Sequence, residues 1–225
     1  SDSNNQGATG GAGGIAVGNA AGVATTLTAN NTTTIGTGVT LAAGLNPLYA
    51  TGNLVVLADT RVNGLDDQAS LSGYGLVAAS DANVNLQGNF NSTINIEDGS
   101  TLSSNNRLDI ATYAQIQKIS AQASASSDGA GAVGISDATN DLASNQAVNI
   151  GNNVALTSVG EADIVAGKDI LNAADTELNP SAIAQSYVRA IIPIPHASAT
   201  ANTTSNATLI LGSGSSVVGG APWPW

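Results

Sequence analysis

The chain has 225 residues, with sixteen Asp and Glu against five Lys and Arg, and a formal charge of −11. An acidic chain with so few cations has no basic face for a nucleic-acid backbone. Without cysteine it has neither a disulfide nor a thiolate metal site.

Ala, Val, Ile and Leu supply nearly all the apolar content, beside one Phe, two Trp and no Met. Such a core suits thin, regular layers rather than a bulky globular interior. Only 9% of residues are charged, so Asn, Ser and Thr must form the polar surface. No run of about 18 apolar residues occurs, so no membrane insertion is expected. The start "SDSNNQGATG" carries no Met and no signal peptide, and reads as a processed product or a piece of something longer.

In chain order, a Gly-rich segment (1–13) is followed by a repeat region (14–220) and a Pro/Trp tail (221–225). The first repeat unit is "TTTIGTGVTL" (32–41), which returns as "STINIEDGSTL", "QAVNIGNNVAL" and "ATLILGSGSSV". Aligned on Ile35, Ile96, Ile150 and Leu211, the copies stand 61, 54 and 61 residues apart. A corner follows each: Gly38, Gly99, Asn153 and Gly214. Gly and Asn are the residues that tolerate positive φ at a turn.

A second strand, "NLVVLA", "RLDIAT" and "EADIVAG", aligns Val56, Ile110 and Ile164 at a spacing of 54. Gln68 and Gln122 repeat at the same interval, and "SDA" (80–82 and 136–138) at 56. The "GLNPLYATG" insertion (44–52) reads as a loop off one corner. Strand alternation is direct in "TINIEDGSTL", where Ile94 and Ile96 face one way and Asn95 and Glu97 the other. The best helix candidate is "DATNDLASNQA" (137–147), weakened by its Asn and Ser.

The pattern predicts an all-β fold, a right-handed parallel β-helix (β-solenoid). With about twenty residues per coil, three coils fill each repeat. The chain then makes ten or eleven coils, an elongated rod on the order of 50 Å long. An antiparallel sandwich or barrel is the alternative.

The run "TYAQIQKISAQASASSDGAGAVGISDATND…NQAVNIGNNVALTSVGEADIVAGKDI" (112–170) resembles the repeats of large secreted bacterial surface proteins, the filamentous-haemagglutinin-like and leukotoxin-like filamentous adhesins. The matching pieces are Gly131–Gly134, Ile150–Leu156 and Gly167–Ile170, and "RAIIPIP" (189–195) is similar too. The resemblance implies an exported, extracellular β-solenoid shaft with an adhesive or coat role.

Candidate chemistry is sparse. Asp66 and Asp67 with Asn63 could hold Ca²⁺, but no Ca²⁺-loop pattern is present and a solvated turn is the favoured reading. Asp109 and Asp163 are homologous positions, expected as an outward ladder rather than a catalytic pair. Lys118, Lys168, Arg61, Arg107 and Arg189 are scattered, which disfavours a polysaccharide lyase. His196 is the only histidine and has no nucleophile elbow to serve. The Gly clusters at 7–14 and 127–134 lack the Lys of a phosphate loop and mark tight corners or close packing. Sequons begin at Asn31, Asn91, Asn202 and Asn206, and side-chain ladders are the expected use.

No catalytic residue, cofactor or metal is therefore expected, and no enzyme activity. The expected contacts are Trp223 and Trp225 with Pro222 and Pro224, where the tail caps its own end or docks on another copy. Tyr49 is the loop-borne candidate for a glycan; Tyr74, Tyr113 and Tyr187 are the others within the repeats. The partners implied are further copies, in a homo-polymer stacked head to tail, or cell-surface glycans.

Overall fold

The computed structural model describes residues 6–44, 52–170 and 174–220. The chain is a parallel β-solenoid of four stacked layers. The first layer holds β1 (Gln6–Ile35) and β2 (Thr40–Ala43), and the second β3 (Asn53–Ile96) and β4 (Thr101–Ser104). The third holds β5 (Arg107–Ile150) and β6 (Ala155–Ser158). The fourth is divided among β7 (Glu161–Ala166), β10 (Glu177–Leu211) and β11 (Ser216–Gly219). A short hairpin, β8 (Lys168–Asp169) with β9 (Ala174–Asp175), interrupts it and is the one antiparallel pair among the described residues.

The hydrogen-bonded neighbour of Ile96 is Ile35 on one side and Ile150 on the other, and Ile150 pairs onward with Leu211. Val56, Ile110 and Ile164 align likewise, as do Gln68 and Gln122. The repeat was thus legible, but the size of the coil was not. Each repeat is one layer, not three coils, so four layers replace the ten or eleven expected. At about 4.8 Å per layer the stack is about 15 Å from first to last, not a 50 Å rod. The reason lies in the cross-section: two arms of one layer lie face to face across a shared core, with no third side along most of their length.

The 44 residues of β3 would span about 145 Å if straight; instead the strand doubles back on itself. Thr60 Oγ1 meets Ser92 Oγ at 2.9 Å, and one layer on, Asn140 Nδ2 donates to the carbonyl of Ile119 at 2.9 Å. The bend falls where the register is interrupted, at Gly75–Leu76 in layer two and Gly129–Ala130 in layer three. We call this bend the apex. The arms on either side contribute inward rows to one core, containing Leu65, Leu71, Leu86, Phe90, Ile119 and Leu142. A second core lies at the opposite end, where the short strand β4 or β6 makes a third side. It collects Ile96, Leu102, Ile110, Ile150 and Leu156.

The corner chemistry is as expected: Gly38, Gly99, Asn153 and Gly214 have φ of 69°, 70°, 55° and 72°. A second positive-φ column was not foreseen. Gly64 (φ 88°) and Lys118 (φ 55°) sit at one level, and the fourth layer is irregular there, between Leu178 and Pro180. The inward row changes parity at this kink, from Val56, Ala58 and Thr60 to Leu65, Asp67 and Ala69.

Three further expectations are corrected. Residues 137–147 are strand within β5, alternating half-buried and buried, because Ala138 and Leu142 are held in the inter-arm core. The "SDA" motifs do not align: Ser80 pairs with Gly134 and Ala82 with Ser136. The shift of two residues keeps the same face inward. The Gly-rich segment is not separate either, because residues 6–13 already pair with 67–74.

Candidate functional site

The acid pair at 66 and 67 forms neither a cation site nor the solvated turn expected of it, since both residues lie within β3. Asp66 and Asp67 are strand neighbours and point to opposite faces, so one cation cannot use both. Asp66 lies outward and accepts from Gln68 Nε2 at 2.6 Å and Gln122 Nε2 at 3.1 Å. Asp67 lies inward and is fully buried. Among the described residues neither of its carboxylate oxygens has a hydrogen-bond partner.

Asp109 and Asp163 do align in register. Arg107 bridges them, with Nε 2.6 Å from Asp109 and a terminal nitrogen 2.8 Å from Asp163. The hydrogen bond that this guanidinium donates to Asp109 is the main cause raising its pKa. Asp109 is almost fully buried rather than facing open solvent as expected.

Arg61 joins Asp59 at 2.6 Å and Asp169 of the β8–β9 hairpin at 3.3 Å, and lies 5.7 Å above the Tyr113 ring. Burial is the main cause pushing the Tyr113 phenol up, and Asp169 adds to it. His196 lies 3.7 Å from Asp137 on the exposed surface. Among the described residues no three His, Cys, Asp or Glu side chains converge on one point.

The outward face of the second arm is a set of polar columns. Asn30, Asn91, Asn145 and Asn206 form one ladder through all four layers, with Nδ2 to Oδ1 distances of 2.7, 2.8 and 2.9 Å. Asn149 donates to Asn95 at 2.9 Å and Asn202 to Asp141 at 2.7 Å. Asn91, Asn202 and Asn206, which begin sequons, thus spend their amides on the neighbouring layer.

Among the described residues the two outer edges of the stack stay unpartnered, and they differ. In layer one the Ile35 carbonyl accepts from Glu97 N–H, at 2.9 Å. A parallel ladder alternates, so odd-numbered residues of the second arm serve layer two and even-numbered ones face away. Residues 6–43 contain no charged residue and no proline. At the other edge Gly212 N–H donates to Ile150, so the odd-numbered positions of layer four face away. Pro193 and Pro195 occupy two of them. Among the described residues prolines occur only in layer four, at 180, 193 and 195. Natural sheets blunt an edge in this way, because proline removes donors without disturbing the inner ladder.

Whole-chain composition concealed this asymmetry. The signal was the absence of any charge from 3 to 58, followed by prolines clustered after 179. Trp223, Trp225, Pro222, Pro224 and Tyr49 lie outside the described residues. Tyr74 and Tyr187 are 53% and 73% exposed on the outer face of the first arm near the apex, where Arg189 lies 3.7 Å from Asp128 beside them.

No family model matches the chain, and neither a curated protein nor a solved structure matches it.

Proposed function

We propose that the chain is a non-catalytic structural and adhesive β-solenoid, exported to the bacterial surface. It helps build a fibre or coat there and joins further strand layers through the edge of layer one. The observation that carries this reading is that edge. A 30-residue strand without charge or proline leaves alternate backbone groups facing away from layer two. Such an edge is a template for strand addition. The repeat resemblance to filamentous adhesins supports export and an adhesive setting. A head-to-tail filament would place the fourth layer of one copy on the first layer of the next. Pro193 and Pro195 subtract two donors from that contact, which favours the first layer as the joining face.

Proline at an outward-facing donor tests the idea without touching the inner ladder. The Ala24 N–H faces away from layer two and its side chain is exposed. Light scattering and electron microscopy of the chain should show concentration-dependent association. Ala24→Pro should lower it at least several-fold while leaving the circular dichroism spectrum unchanged. Association that is absent, or indifferent to the proline, removes the joining role.

A second reading has one observation behind it. Tyr74 and Tyr187 stand two layers apart on one face and two residues apart along the strand, a separation of about 12 Å, with Asp128 and Arg189 paired beside them. Exposed tyrosines at that interval suit stacking against alternate sugars of a glycan. Tyr187→Ala should abolish any glycan-array binding; binding that survives it rejects this face.

A further inference from the structure

Beyond the kink, the outward side chains of layer two are polar: Gln68, Ser70 and Ser72 on the first arm, and Asn85, Gln87, Asn89 and Asn91 on the second. The apex breaks this rule. Residues 14–19, 75–80, 129–134 and 190–195 carry no acid or base, and only Asn19 and Ser80 among them are polar. Those two serve the interior: Asn19 Nδ2 donates to the Ser72 carbonyl at 2.9 Å and Ser80 Oγ to that of Ser126 at 3.0 Å. Leu76 and Val77 are 61% and 56% exposed, although layer two has a neighbour on each side. Their exposure therefore does not come from an open edge of the stack.

At the tip of the apex the ladder is interrupted in every layer. Gly14 and Ala16 pair with Gly75 and Val77, so Leu76 is the counterpart of Ile15. Gly131 pairs with both Val77 and Ile192, and Gly129 with Ala190, which places Ala130 and Ile191 on the same column. Layer by layer the tip reads Ile15, Leu76, Ala130 and Ile191, three large apolar side chains and one notch. Ile15 and Ile191 are 80% and 86% exposed. Charge lies on the rims. Arg189 stands 3.7 Å from Asp128 on the first-arm side, and His196 3.7 Å from Asp137 on the second-arm side, where Asp81 also lies.

We propose that the apex is a contact between two copies of this chain, set tip to tip about a two-fold axis with their layers running in opposite directions. An apolar patch of this kind marks an interaction surface. A convex ridge offers no groove to a peptide, and rims rich in acid repel an anionic lipid surface. Four layers by six residues make a face of roughly 400 Å², about half of what each partner gives to a standard interface. The contact is therefore weak and reversible. Opposed layers set Leu76 of one copy on Ala130 of the other, and Ile15 on Ile191, so the ridge fits its own reverse. They also set Arg189 and His196 across from layer one, which has no charged residue. Layers running the same way would instead set Leu76 on Leu76, leave the notch empty and oppose Asp128 to Asp137. The contact lies on the side of the stack and does not depend on joining at the first layer.

Sedimentation equilibrium of the Ala24→Pro chain tests this, because joining at the first layer is suppressed there while the apex is intact. That chain should show a concentration-dependent equilibrium of monomer and dimer. Leu76→Asp puts a charge into the contact, and Ala130→Leu fills the notch. Each should weaken the dimer by roughly ten-fold or more, with the circular dichroism spectrum unchanged. Leu76→Asp in the otherwise native chain should leave joining at the first layer in place, so the two contacts fail separately. Should the proline prevent folding, both substitutions are compared in the native chain, where each should lower the association. A chain that stays monomeric at every concentration overturns the proposal, as does a dimer indifferent to both substitutions. Monomers that bind vesicles of phosphatidylcholine also overturn it, and assign the apex to lipid.

Discussion

Gly129→Ala should destabilise the protein by about 2–3 kcal/mol, the upper part of the range for an overpacked interior. A methyl group at this apex position would run into the carbonyl oxygen of Gly75 in the layer before, and one at Gly75 into that of Gly14. Layers two and three cannot retreat, because each is clamped on both sides. The fourth layer carries Ala190 in the same column, and it has an outer side toward which it can shift. Gly131 is the internal control, two residues away and with nothing within 4 Å of an added methyl. Gly131→Ala should be neutral, or stabilise by up to about 1 kcal/mol through the unfolded chain. Denaturant unfolding of the two variants measures the difference. Equal stabilities would show that the apex is not closely packed.

Asp67→Ala should stabilise the protein, by about 1–3 kcal/mol, the penalty usual for a buried polar group without a partner. Asp67 lies between Leu65 and Ala69 in an inward row and is fully buried. Its neighbour in the next layer is Ala121, so alanine already suits the column. The gain is reduced by whatever small void the shorter side chain leaves. Thermal unfolding at neutral pH is the direct measurement. A lower midpoint in the variant would mean that the carboxylate has a partner worth more than its desolvation.

These two residues also show where sequence reading stops. The reading of the Gly clusters at 7–14 and 127–134 as corners or close packing holds at Gly10, Gly129 and Gly134 but not at Gly131. Which glycine cannot carry a methyl depends on the carbonyl of another layer, 54 or 61 residues away. The paired acids at 66 and 67, expected on a solvated turn, are adjacent in sequence without sharing a face, and Asp67 is fully buried. On a strand, adjacency means opposite faces.

The sequence alone determined the repeat, its phase and the corner residues. Those properties are periodic, and period survives in one dimension: Ile35, Ile96, Ile150 and Leu211 form one column, with the positive-φ residues three positions later. The tertiary structure decided how many layers the chain makes, since the arms meet through side chains such as Thr60 and Ser92 rather than through any local turn signal. It also decided that the two edges differ. Proline and charge are visible in a sequence, but whether a missing N–H faces a neighbouring layer or away from it depends on ladder parity, which only the register reveals.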